Sequence, residues 1–120
     1  MTTTSTAGSG TAHPRSMPHP EPDELELTTV LFALSDPARL DLVRLIAAEG
    51  PQSVAQCHVV DPAAPKSTFS HHLKTLREAG VVRNVPDGRQ RRISLRRDDL
   101  DDRFPGLLDA VLTGRPDAEA

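Results

Sequence analysis

The hydrophobic period of this chain changes at Gly80, and that change limits the architectures open to it. Upstream, Leu27, Val30, Leu31 and Leu34 recur at the i, i+3, i+4, i+7 spacing of a single helical face. Downstream, Ile93 and Leu95 alternate with Arg92, Ser94 and Arg96, the period of a half-buried strand. Helices followed by a hairpin point to a mainly α fold with a small β element. The residues available for a core agree. With three Phe and no Trp or Tyr among 120 residues, the core must come from Leu, Val, Ile and Ala, which suits packed helices better than a β-sandwich. A chain of this length is one small domain with tails.

The breaks between elements are written in turn chemistry. Asp36-Pro37 stops the first helix and opens the second, Asp36 as cap and Pro37 at a position whose missing N–H has no helical partner. Leu40, Val43, Leu45 and Ile46 supply the second helix's apolar stripe, and Gly50-Pro51 ends it. Ser53-Val54-Ala55-Gln56 has the S-x-x-Q form of a capping box and predicts a short third helix to about His58. The prolines of Asp61-Pro-Ala-Ala-Pro65 then force a turn. Ser67 or a neighbour is expected to cap a fourth helix that Gly80 closes. Two short helices joined in this way form a helix-turn-helix.

Val81 to Val85 and the Arg92–Arg96 alternation predict a hairpin wing turning at Pro86-Asp87-Gly88. Asp98-Asp99-Leu100 reads as a polar turn before a last helix carrying Leu107, Leu108, Val111 and Leu112. Residues 1–22, rich in Thr, Ser, Gly and Pro, are expected to be a disordered arm. The domain then spans 23–114, and 115–120 form a flexible tail. No apolar run reaches the roughly 18 residues of a membrane span. The N-terminus lacks the apolar core of a secretory signal, and one cysteine allows no internal disulfide. A cytoplasmic location is the expectation.

The net charge of −3 hides an asymmetry. Residues 66–97 hold nine basic and two acidic residues, a net of +7, so the remainder stands at −10. A concentrated basic stretch on a mildly acidic protein marks an anion-binding face. On a helical wheel of about 100° per residue, Phe69, Leu73 and Leu76 share one side of KSTFSHHLKTLREAG (66–80). Ser67, Ser70, His71, Lys74 and Glu78 fall on the other. Short hydrogen-bonding groups reach base edges in the major groove and cations reach phosphates. Arg89, Arg91 and Arg92 at the wing tip suit neighbouring phosphates or the minor groove. The partner predicted from these residues is double-stranded DNA.

LSDPARLDLVRLI (34–46) and KSTFSHHLKTLREAGVV (66–82) together resemble the arsenic-repressor-like (ArsR/SmtB) family of winged-helix regulators. The likeness rests on the D-P-x-R-L opening and the S-T-x-S-x-H-L-x-x-L-R-x-A-G helix, and it covers about residues 25–112. It implies a winged helix-turn-helix of about five helices and a two-stranded wing. It also implies a homodimer, built by the first and last helices, that represses from a near-palindromic operator. The DNA-facing set carried over is Lys66, Ser67, Thr68, Ser70, His71 and Lys74, with Arg89, Arg91 and Arg92 on the wing. The dimer surface would draw on Leu27, Val30, Leu31, Leu34, Leu107, Leu108, Val111 and Leu112, while Phe69, His72, Leu73 and Leu76 would be structural.

The chain departs from the family's metal sensors. SVAQCHVVD (53–61) offers Cys57 and His58 but no second thiol, and no histidine follows Asp98. His13 and His19 sit in the arm as weak candidates for nickel or zinc. Cys57 reads as a small core residue, a redox or soft-metal role being the alternative. The expectation is that no tight metal site switches DNA binding, any metal acting weakly or through a partner regulatory protein. No nucleophile–base pair, phosphate loop or carboxylate cleft suggests an enzyme. A second reading, a winged helix used as a protein-interaction module, fits the arginine-rich wing less well.

Overall fold

The computed structural model describes residues 17–114. Six helices and a three-stranded antiparallel sheet follow in the order α1 (Leu27–Leu34), α2 (Pro37–Glu49), β1 (Gln52–Ser53), α3 (Val54–Cys57), α4 (Lys66–Glu78), β2 (Val82–Asp87), β3 (Gln90–Leu95), α5 (Arg97–Arg103) and α6 (Leu107–Thr113). The fold is a winged helix, mainly helical, as the change of period implies. Val30, Leu42, Val43, Leu76, Val81, Val82, Ile93, Leu100 and Leu108 are almost wholly buried and form a single core shared by the helices and the sheet.

Local chemistry sets the helix ends. The Asp36 carboxylate accepts hydrogen bonds from the backbone N–H groups of Ala38 (2.9 Å) and Arg39 (3.1 Å), satisfying two otherwise orphaned donors at the start of α2. Ser53 and Gln56 close the capping box in both directions, at 3.1 and 2.8 Å. At the far end of α4, Gly80 takes φ +86°. Its N–H bonds to Arg77 O and that of Val81 to Leu76 O, the paired bonds of a Schellman stop. The start of α4 differs from expectation: the cap is Pro65, with no side-chain bond. Proline fixes φ where the chain must leave an extended turn, so Ser67 lies inside the helix, free to face outward.

Three other expectations are corrected. The wing turn is the two-residue Gly88-Arg89, because Pro86 and Asp87 pair with Arg91 and Gln90. Pro86 is tolerated there since β2 is an edge strand in the order β1-β3-β2. The sheet has a third strand, β1, pairing Gln52 with Ile93 and Ser53 with Arg92. The segment after β3 is helix α5 rather than a polar turn. Asp98 and Asp99 occupy its first turn, where they favour the helix dipole, and Arg97 pairs with Asp101 one turn on. Leu100 anchors it in the core.

The end of the N-terminal arm has a defined place. Residues 17–25 form a strap across the α4–wing junction. Arg77 Nη1 donates to Met17 Sδ, the backbone N–H of Asn84 to His19 Nε2 (3.0 Å), and Arg96 Nη1 to Pro20 O (2.8 Å). Leu25 is buried against Gly80. The remaining arm, 1–16, and the tail, 115–120, lie outside the described residues, and His13 with them.

Candidate nucleic-acid interface

Helix α4 divides as the wheel requires. Phe69, Leu73 and Leu76 are buried, while Lys66, Ser67, Thr68, Ser70, His71 and Lys74 are all exposed along one face. The two cations flank a row of hydroxyls and one imidazole, so the helix presents donors and acceptors with little bulk between backbone and solvent. The wing extends beside it. Arg89 and Arg92 are exposed, Arg89 in the turn itself.

Arg91 stands apart from its neighbours. Its Nε donates to Asn84 Oδ1 at 2.7 Å and its Nη2 to Asn84 O at 2.9 Å. Strand alternation explains this: Arg91 shares the inner face of β3 with Ile93, beside Asn84 on β2. It is half-buried and folded back along the wing, so Arg89 and Arg92 are its outward cations. Asn84, unremarkable in sequence, is buried and holds this arginine on one side and His19 of the strap on the other.

A buried network fixes the angle at which α4 is presented. Arg39 on α2 donates from Nε to Ala33 O (2.7 Å) and from Nη2 to Phe32 O (3.2 Å), using carbonyls at the end of α1. Its Nη1 lies 3.2 Å from His72 Nδ1 on α4. Because a guanidinium only donates, His72 Nδ1 accepts and its proton sits on Nε2, 3.8 Å from the Asp36 carboxylate. One arginine therefore joins α1, α2 and α4. The D-P-x-R spacing held this signal: a cation inside an apolar helical stripe needs acceptors.

The metal and thiol candidates separate. Cys57 is fully buried, and burial pushes its thiol up to about 11, so it stays protonated and unreactive through the neutral range. His58 stacks edge-on against Phe69, with ring centroids 4.7 Å apart, and its Nε2 lies 3.3 Å from Ala64 O. Among the described residues, no three His, Cys, Asp or Glu side chains are grouped to hold a metal ion.

His19 is held below its ordinary range, first by burial and then by Arg77, Arg96 and Arg83; a hydrogen bond from its imidazole to the Met17 backbone opposes them. Asp99, which pairs with Arg83 and Arg96, is the nearby counter-charge. A depressed histidine stabilises the folded arrangement above its unfolded value of about 6.5, and that contribution is lost as the pH falls through the folded value. Protonation also removes the acceptor that Nε2 offers Asn84. Acidification from pH 7.5 to 5 is therefore expected to loosen the strap before the domain unfolds. The check is hydrogen exchange at the Asn84 amide, which should quicken while core amides of α4 do not.

Comparison with known proteins agrees with this geometry. A helix-turn-helix domain model matches residues 34–85. The HTH-type transcriptional regulator YceK of Bacillus subtilis (strain 168) is 34% identical over 87 residues, covering 68% of this chain and 82% of that protein. The crystal structure of a "possible transcriptional regulator for arsenical resistance" superposes with a TM-score of 0.56 at 32% identity, over 79% of this chain and 98% of that one. The transcriptional repressor BigR from Xylella fastidiosa superposes at 0.52 with 28% identity, over 65% and 85%. No helix of the described residues is long and apolar enough to cross a membrane. The chain belongs to the helix-turn-helix transcriptional regulators and carries the winged-helix fold of their arsenic-repressor-like (ArsR) branch.

Proposed function

We propose that this regulator acts as a homodimer that reads a near-palindromic operator with α4 and represses from it. The observation that carries the reading is the exposed row Ser67, Thr68, Ser70 and His71 between Lys66 and Lys74, with Arg89 and Arg92 beside it on the wing. Hydroxyls and imidazole discriminate bases, whereas the cations supply affinity that does not depend on sequence. Replacing Ser70 or His71 with alanine is expected to cost about 1–3 kcal/mol at the operator and little on random duplex. Replacing Arg92 with alanine should weaken both duplexes and flatten the salt slope by about one unit. Fluorescence anisotropy over a salt series measures both. Equal losses on the two duplexes from the Ser70 change would remove base reading from α4.

The dimer reading is redrawn by burial. Val30, Leu34 and Leu108 fill their own protomer's core, and Leu107, Val111 and Leu112 pack partly against it, because helices this short must use their apolar stripe to close the monomer. What remains outward on α1 is Leu27, Leu31 and Phe32, at 45, 44 and 63% exposure. Three large apolar side chains on one eight-residue helix fit a self-association surface. The two α4 helices of a dimer would meet major grooves roughly 34–36 Å apart. Light scattering at micromolar concentration is expected to give twice the chain mass, and Leu31→Asp with Phe32→Asp to give the monomer. A wild-type monomer would sink the palindrome as well.

A further inference from the structure

Between α4, the wing and the strap lies a cleft of about 380 Å³, lined by Met17, Val54, Ser70, Leu73, Lys74, Arg77, Asn84 and Arg91. Its walls are largely apolar, from Met17, Val54 and Leu73, yet three of the lining residues are cations and none is an acid. Arg77 is the unusual one. It is more than nine-tenths buried, and its Nε–H has no hydrogen-bond partner among the described residues. Among the described residues, one terminal nitrogen donates to the Met17 thioether, a weak acceptor, and the other lies 3.5 Å from the Glu78 carboxylate. A buried guanidinium this poorly matched is costly. Arg77 lines the cleft, so an anion lodged there would offset its charge. DNA phosphates can reach the exposed Lys74, but a duplex backbone has nothing to fill a pocket walled by Met17, Val54 and Leu73.

We infer that this cleft is an effector site for a small amphipathic organic anion, its apolar body against Val54, Leu73 and Met17 and its acidic group against Lys74 and Arg77. The inference rests on the DNA-binding reading above for its consequence. Ser70 and Lys74 belong both to the cleft and to the exposed face of α4, so an occupant and the operator compete for the same side chains. Ligand and DNA binding are then mutually antagonistic, which is the linkage an inducer of a repressor requires.

The test uses the full-length protein and 1-anilinonaphthalene-8-sulfonate, an aromatic sulfonate of the inferred chemistry. Titration without DNA, followed by amide chemical shifts, should give saturable changes centred on Leu73, Asn84 and Arg91. Lys74→Gln should weaken binding about tenfold, the loss of one charge-assisted contact, and Arg77→Gln should do so if it folds. Operator duplex should then displace the probe. Shifts confined to Ala55, His58 and Phe69 or to the apolar face of α1, or no saturation at millimolar probe, would overturn the site. So would a Lys74→Gln protein that binds the probe as tightly as wild type. Simultaneous binding of probe and duplex would overturn the antagonism. A protein that binds the probe at these residues but no duplex would establish the cleft and refute the DNA-binding reading instead.

Discussion

Replacing Arg39 with alanine is expected to cost about 3 kcal/mol of folding stability, out of roughly 5–15 kcal/mol for a domain of this size. The change deletes donors to Ala33 O, Phe32 O and His72 Nδ1 together. The guanidinium also lies over the Phe32 ring, 5.3 Å from its centroid, so a cation–π contact goes too. The two carbonyls at the end of α1 and the histidine of α4 are left without these partners in a part-buried setting. Lysine restores the charge but not the planar fork, so Arg39→Lys should recover only part of the loss. Urea unfolding reads the result as a lower midpoint at unchanged slope. A loss under about 1 kcal/mol would mean that packing alone positions α4.

Gly80→Ala is expected to destabilise by about 2–4 kcal/mol, for two additive reasons. Its φ of +86° lies in the left-handed region, and a Cβ there would fall 2.0 Å from Leu25 Cδ2, with Pro20 Cγ at 3.4 Å. Leu25 is 1% exposed, so it cannot move aside without leaving the core and dragging the strap with it. Gly88 provides the internal control. Its φ is +65° but nothing lies within 4 Å of the same construction, so Gly88→Ala should cost only the backbone strain, about 1 kcal/mol. Thermal unfolding of the two variants side by side separates strain from collision. Equal losses would show that the strap yields freely.

Where local chemistry governs, the chain can be read directly. Asp36-Pro37, the Ser53–Gln56 box and Gly80 each act through backbone groups a few residues away, and each lies where its residue type predicts. The face of α4 was legible for the same reason: helical period alone separates Phe69 and Leu73 from Ser70 and Lys74. What escaped the sequence depends on distant partners. β1 is two residues long and exists only because β3 lies beside it. The Asp98–Asp102 stretch has poor helical propensity, but Leu100 buries and Arg97 pairs, so tertiary contacts carry it into α5. Arg91 shares composition and neighbours with Arg89 and Arg92. Strand alternation puts it on the Ile93 face, and Asn84, diagonally across on β2, binds its guanidinium there. Leu34 and Leu108 show the same limit. Periodicity marks a residue as apolar without saying whether its own core or a second protomer will cover it.

The strap decides how the protein can be handled as a reagent. Met17 lines the cleft shared by Ser70, Lys74 and Arg91, whereas the Gly114 carbonyl accepts from Arg44 on α2. A bulky label attached at Met17 itself would sit at the margin of the face proposed above to meet nucleic acid, where it would shield Ser70 and Lys74. Labels and immobilisation chemistry belong instead near Gly114. Binding curves for the same label placed at Met17 and at Gly114 would then differ through its position alone.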